Sequence, residues 1–198
     1  MFFDGEYRFL GSVDVASLRS QLAALPEDDW YADTGRQEAF AAHRMTQSIG
    51  LIFDPDMRHE RPTVRPAFHL FETAVVPAIA AVQAFFQANP PEGTDGTGYV
   101  VRALLVRLDG GGSIASHRDH GESLSRAHRI HLPVVTSPHA EFGIAGQVRH
   151  LPAGELWEVN NRKVHAVRNV GGAARIHLII DYVVRGEMVA DPDGMLVA

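Results

Sequence analysis

The rhythm of hydrophobic positions changes near residue 95 of this chain. Before that point the pattern is mixed and partly helical. Residues 13–25 set Val15, Leu18, Leu22 and Leu25 on one helical stripe, with Ser12 or Asp14 available as a cap and Pro26 beyond the end. Residues 47–53 form a short β-type run that stops at Asp54 and Pro55. An Arg- and Pro-rich loop follows over 57–66, and residues 67–89 predict one helix with Pro77 as the place for a kink. Its most apolar part, 73–86, is shorter than a membrane span and reads as a buried or amphipathic helix. The Pro- and Gly-containing segment 89–96 ends it.

After residue 95 short β-type runs alternate with turn signals. The runs are 99–108, 114–119, 129–135, 141–145, 148–151, 155–159, 165–170 and 174–184. Such punctuation predicts a mostly β fold with N-terminal helices, a double-stranded β-helix of the jelly-roll or cupin kind. The expected organisation is a single domain over 1–198. Residues 1–95 form a helical and mixed part packing on a catalytic β core at 96–186.

Composition narrows the chemistry. The 198 residues are 45% hydrophobic and 21% charged, ordinary for a folded domain. A net charge of −6 argues against nucleic-acid and membrane partners, which need a basic face. No signal peptide is legible at the start, so a cytoplasmic location is expected. The chain has no cysteine, which excludes disulfides, thiolate metal sites and thiol nucleophiles. It has 11 histidines, seven of them between His117 and His165. Any metal would be held by imidazole and carboxylate, a donor set for first-row metals.

His117 and Asp119 lie two apart in a β-type run, so alternation sends both to one face. Alone, a His-x-Asp pair is common on surface turns, and His120 next door is a competing ligand. His165, at the start of a later run, is the best third donor. Two imidazoles and one carboxylate on one side of an octahedral metal leave three positions open, the pattern of non-haem iron(II) oxygenases. Ten residues on, Arg175 follows a Gly171-Gly172 turn that reads as a hairpin, which would put it on the same sheet face as His165. A guanidinium there suits the far carboxylate of a metal-chelating dicarboxylate. In 175–181, Arg175, His177, Ile179 and Asp181 alternate with Ile176, Leu178 and Ile180; Arg129 and His131 repeat the theme. One packed face and one polar cavity face are expected.

Three segments resemble the aspartyl/asparaginyl β-hydroxylase family of 2-oxoglutarate oxygenases, with the bacterial free-proline hydroxylases most similar within it. They are Ser116-His117-Arg118-Asp119, the run 129–135, and 164–169 with 175–181. The resemblance implies iron(II) held by His117, Asp119 and His165. It implies 2-oxoglutarate held through Arg175, with Arg129 and His131 beside that co-substrate, and O2 as the oxidant. The products would be succinate, CO2 and a hydroxylated C–H bond of an amino acid or peptidyl side chain. Asp119 separates the chain from animal members that hydroxylate EGF-like domains without a carboxylate ligand. Two alternatives stand beside this reading. One is a cupin-type metal-dependent isomerase or dioxygenase without 2-oxoglutarate; the other is a non-catalytic ligand-binding cupin module. Arg149, His150, Trp157 and the arginines 58, 61 and 65 are candidate substrate contacts.

Overall fold

The long apolar run between residues 66 and 88 organises the packing. A computed structural model of the chain describes residues 3–54, 60–119, 122–190 and 196–197. Arg58 and His120 therefore lie outside the described residues. The run forms helix α3 (Pro66–Ala88), which begins with a proline whose missing N–H needs no partner there and continues through Pro77. Phe68, Phe71, Val75, Ala78, Val82 and Phe86 make up its buried face. The helix is long and apolar enough to cross a membrane by length and composition, but here that face packs on a β-sheet. A shorter helix, α1 (Ala16–Ala23), adds Leu18 and Leu22 to the same core, and the Ala16 N–H donates to Asp14 Oδ1 at 2.8 Å.

Ten strands build the body. They are β1 (Tyr7–Ser12), β2 (Thr46–Ile52), β3 (Gly98–Leu108), β4 (Ser113–His117), β5 (His128–Val135), β6 (Ala140–Ile144), β7 (Gln147–Arg149), β8 (Glu155–Val159), β9 (His165–Asn169) and β10 (Arg175–Val184). A six-stranded sheet has the order β1-β8-β5-β10-β3-β2, and a four-stranded sheet the order β4-β9-β6-β7. All their pairings are antiparallel. This is the double-stranded β-helix expected from the strand punctuation. The N-terminal part also enters the larger sheet, as its two edge strands β1 and β2.

Alternation along β10 sorts its side chains as the pattern requires. Ile176, Leu178, Ile180, Tyr182 and Val184 join the core under α1 and α3. Arg175, His177, Ile179 and Asp181 take the other face, and all ten residues of the strand are buried. Ile130, Leu132 and Val134 of β5 follow the same division, leaving Arg129 and His131 opposite. A second apolar cluster holds the two sheets together, with Leu108 from β3, Val159 from β8, Ile114 from β4, Phe142 and Ile144 from β6, and Val167 from β9.

The N-terminal segment between α1 and β2 is pinned beside this inter-sheet space. Arg107 of β3 donates from Nη1 to Glu27 Oε2 at 2.8 Å and from Nε to Gln47 Oε1 at 3.1 Å, with Trp30 under its guanidinium. Trp30 is itself buried. The anchored stretch continues into helix α2 (Gly35–Ala39) and a 3-10 turn at Ala41–His43. Sequence patterning gave no sign of either element, because both are too short for a hydrophobic period to register.

Candidate metal and co-substrate site

His117 ends β4 and His165 begins β9, and they are direct cross-strand partners. Opposed side chains in an antiparallel pair lie close enough to share a ligand. Their ring centroids are 4.3 Å apart. Asp119 arrives differently from the sequence expectation. The strand stops at His117, and Asp119 sits just beyond it, its N–H donating to Asn161 O at 3.2 Å. A loop-to-loop hydrogen bond, rather than strand alternation, therefore aims the carboxylate. Its Oδ1 is 3.7 Å from His117 Nε2, and its Oδ2 is 3.9 Å from His165 Nε2. One donor atom from each residue falls within 4.8 Å of the others, which fits one first-row metal ion.

The tautomers suit the same conclusion. His117 Nδ1 lies 2.7 Å from Ala115 O, and His165 Nδ1 lies 3.0 Å from Lys163 O. A carbonyl only accepts, so both Nδ1 atoms carry hydrogen and both Nε2 lone pairs face the triad. Such outer hydrogen bonds orient metal-binding imidazoles. Burial holds His165 down to about 4, which keeps it neutral near pH 7.

Asp119 is pushed up to about 6, with burial the leading cause and Arg102 opposing it. Arg129 Nη1 is in contact with Asp119 Oδ2. A ligand carboxylate must lose its proton to bind metal. Iron(II) affinity is therefore expected to fall at least about tenfold per unit as pH drops below about 6. Calorimetric or optical titration between pH 5 and 8 checks this; a flat profile rejects Asp119 as a ligand.

The facing wall belongs to β10 and β5. Arg175 is fully buried, at 2% exposure, and burial draws its guanidinium down to about 9. Its Nη2 donates to His177 Nδ1 at 2.7 Å. His131 Nδ1 stands 3.2 Å from the same atom and must be the donor, since that atom already accepts from an arginine. Burial keeps His131 and His177 far below the usual imidazole range, hence neutral. His131 thus reaches Arg175 through His177 and stacks edge-on against Phe142. Arg129 pairs with Asp181 at 2.8 Å through Nε, as well as with Asp119. Both residues nonetheless border the narrow space that Arg175, His117 and His165 share.

One expectation about Arg175 is corrected. Residues 170–174 do not close a hairpin. β9 belongs to the four-stranded sheet and β10 to the six-stranded one, so the Gly171-Gly172 link crosses between sheets. His165 and Arg175 meet from opposite walls rather than from one face. Two residues that sequence reading did not single out also border the narrow space. Arg36 of α2 donates to Thr46 Oγ1 and to His43 Nε2, each at 3.2 Å, and the His43 ring is 5.2 Å from that of His117. They also border a wider cavity of about 800 Å³, which reaches His117, Asp119 and Arg129. Of the candidate substrate residues, Arg65 lines that cavity; Arg149 and Trp157 instead stack on each other, 4.9 Å apart.

The family model for aspartyl/asparaginyl beta-hydroxylase matches residues 80–184, more than half of the chain. The chain belongs to that family. The matched span holds the triad, Arg129, His131 and Arg175, so family membership and site geometry concern the same residues. No curated protein sequence matches. Several solved structures share the fold. An oxidoreductase of the 2OG-Fe(II) oxygenase family from Burkholderia pseudomallei aligns over 86% of this chain and 90% of its own at 18% identity, TM-score 0.57. A viral collagen prolyl hydroxylase from Paramecium Bursaria Chlorella virus-1, in complex with 2OG, aligns over 91% and 96% at 10% identity, TM-score 0.57. HygX from Streptomyces hygroscopicus, with nickel, 2-oxoglutarate and hygromycin B bound, aligns over 91% and 84% at 13% identity, TM-score 0.54. At these identities the likeness speaks for a common double-stranded β-helix.

Proposed function

We propose that this β-hydroxylase family member is an iron(II)- and 2-oxoglutarate-dependent dioxygenase that hydroxylates an unactivated C–H bond of an amino acid or peptidyl side chain. One observation carries the reading: the convergence of His117, Asp119 and His165 opposite a buried arginine, Arg175, that meets no carboxylate among the described residues. A buried cation without an anionic partner is costly unless a ligand supplies the anion. The C5 carboxylate of 2-oxoglutarate is that anion. When bound, iron(II) with 2-oxoglutarate supplies the oxidising chemistry that puts one atom of O2 into the C–H bond and leaves succinate and CO2.

The residues of the chain position and shield. His117 and His165 hold the metal through Nε2 because their Nδ1 hydrogens are committed to backbone carbonyls. Asp119 supplies the charged ligand, and Arg129 steadies its orientation. His131 and His177 fix the Arg175 fork by a chain of hydrogen bonds. Val106, Phe142, Val167 and Ile179 wall the narrow space with apolar surface that keeps water out. Arg36, His43, His117 and Arg129 border both spaces, so a co-substrate held at Arg175 and the triad adjoins the wider cavity. A cupin-type enzyme without 2-oxoglutarate would have no use for Arg175.

Arg175→Ala is expected to raise the KM for 2-oxoglutarate about 100-fold, the scale of a buried charge-assisted pair. Arg175→Lys should recover only part of it, since an ammonium offers no fork. Succinate release measured against co-substrate concentration checks both. An unchanged KM in Arg175→Ala would falsify the assignment of this residue. The cytoplasmic location expected from the sequence is carried forward as part of the same proposal.

A further inference from the structure

The wide cavity beside the triad has a charge balance opposite to that of the whole protein. The chain carries a net −6, yet among the described residues five arginines line this one space, Arg36, Arg65, Arg102, Arg118 and Arg129. Among the described residues two aspartates oppose them, Asp33 and Asp119. Asp119 is committed to Arg129 and to the triad. Asp33 is exposed, and its Oδ1 accepts the Gly35 N–H at 3.0 Å. Arg102 and Arg129 share Asp181 behind the wall. That leaves Arg36, Arg65 and Arg118, none of which meets a carboxylate within ion-pair distance among the described residues.

Arg36 is the most telling of the three. Its two hydrogen-bond partners, Thr46 Oγ1 and His43 Nε2, are both neutral. Burial and the nearby Arg102 draw its guanidinium down to about 9, and Asp119 and Asp181 oppose that shift only from beyond ion-pair distance. Much of the remaining lining is apolar, with Phe40, Phe53 and Leu104 beside His43, Ser48 and His117. An ammonium entering this space would face like charges and be disfavoured. A carboxylate would be welcomed by bidentate forks. At about 800 Å³ the cavity also exceeds what a small free amino acid fills.

We infer that the substrate is a small organic anion without a free ammonium group, its carboxylate received by Arg36 and Arg65 and its apolar part lying against Phe40 and Phe53. This rests on the hydroxylase reading and narrows it. Of the amino-acid and peptidyl substrates, it selects those whose nitrogen is acylated, as in an N-acyl amino acid.

The test uses the full chain loaded with iron(II) and 2-oxoglutarate without O2, titrated calorimetrically with four leucine-shaped probes. N-acetyl-leucine and 4-methylpentanoate are anions, leucine is a zwitterion and leucinamide is a cation. The two anions are expected to bind at least about tenfold more tightly than leucine, and leucinamide not measurably. Arg36→Ala and Arg65→Ala should each weaken the anions about tenfold, whereas Arg36→Lys keeps the charge without the fork and recovers part of the loss. Arg65 is exposed, so its replacement does not put folding at risk. Leucine binding as well as the anions, or anion binding indifferent to both alanine variants, overturns the inference. So does a failure of all four probes to bind at millimolar concentration. The visible iron–2-oxoglutarate charge-transfer band, read in the same samples, separates the two levels. Its presence without anion preference removes only the substrate class; its absence removes the hydroxylase reading as well.

Discussion

Asp119→Ala is expected to abolish iron(II) binding and to lower turnover by more than the roughly 100-fold that loss of an outer partner of a metal ligand costs. The visible iron–2-oxoglutarate band should vanish with it. The apo protein should hardly notice. Without metal the Asp119 carboxylate is buried and its acid form is favoured, up to about 6, so it adds little to the fold at neutral pH. Arg129 keeps two hydrogen bonds to Asp181 when Asp119 is gone, at 2.8 and 3.1 Å. The apo variant should therefore stay within about 1 kcal/mol of the parent. Metal raises the melting temperature of a protein whose folded state binds it. That rise should appear in the parent and not in Asp119→Ala, so thermal melts with and without iron(II) decide the matter. A variant still stabilised by iron would place the metal elsewhere.

Asp181→Ala should have the largest effect on stability. Asp181 is completely buried on β10, directly opposite Arg102 on β3 and Arg129 on β5. It accepts from Arg102 Nε at 2.6 Å and from Arg129 Nε at 2.8 Å. Removing it leaves two guanidiniums in the interior with one carboxylate, Asp119, in place of two. Breaking a buried pair of this kind costs about 3–5 kcal/mol, because the stranded charge loses its partner and does not regain water. For a chain of this size that lowers the melting temperature by roughly 10 °C. Asp181→Asn should fall between, keeping hydrogen-bond acceptance through one oxygen and losing the charge. Urea unfolding of the three proteins tests the series; a loss below about 1 kcal/mol for the alanine variant would show that the arginines find water or another anion. Iron binding should weaken too, since Arg129 would then lean wholly on Asp119.

Much of the fold was legible in the chain because strand alternation and turn residues are local. The runs after residue 95 became β3 to β10 with ends shifted by a few residues, and the polar stripe of β10 turned inward as its spacing required. The site was legible in part. His117, Asp119, His165 and Arg175 do come together, but by other means than the pattern suggested. Asp119 is aimed by Asn161, and Arg175 stands on the opposite sheet. Neither fact has a periodic signature, since one is a contact between loops and the other depends on which sheet a strand joins.

Arg36 and His43 mark the same boundary. They lie more than 70 residues from the triad in sequence, on elements of five and three residues. Their place beside His117 follows from Arg107 gripping Glu27 and Gln47, a long-range contact that no local pattern encodes. By itself, the sequence determined the donor chemistry of this protein. Lacking cysteine, it leaves histidine and carboxylate for a metal, and alternation sets a polar face inside a β-helix. The tertiary structure alone decided which atoms meet and what surrounds them. Closing two sheets face to face joined His165 to Arg175 across the gap. Folding the N-terminal segment over the opening gathered arginines from distant parts of an acidic chain into one cavity.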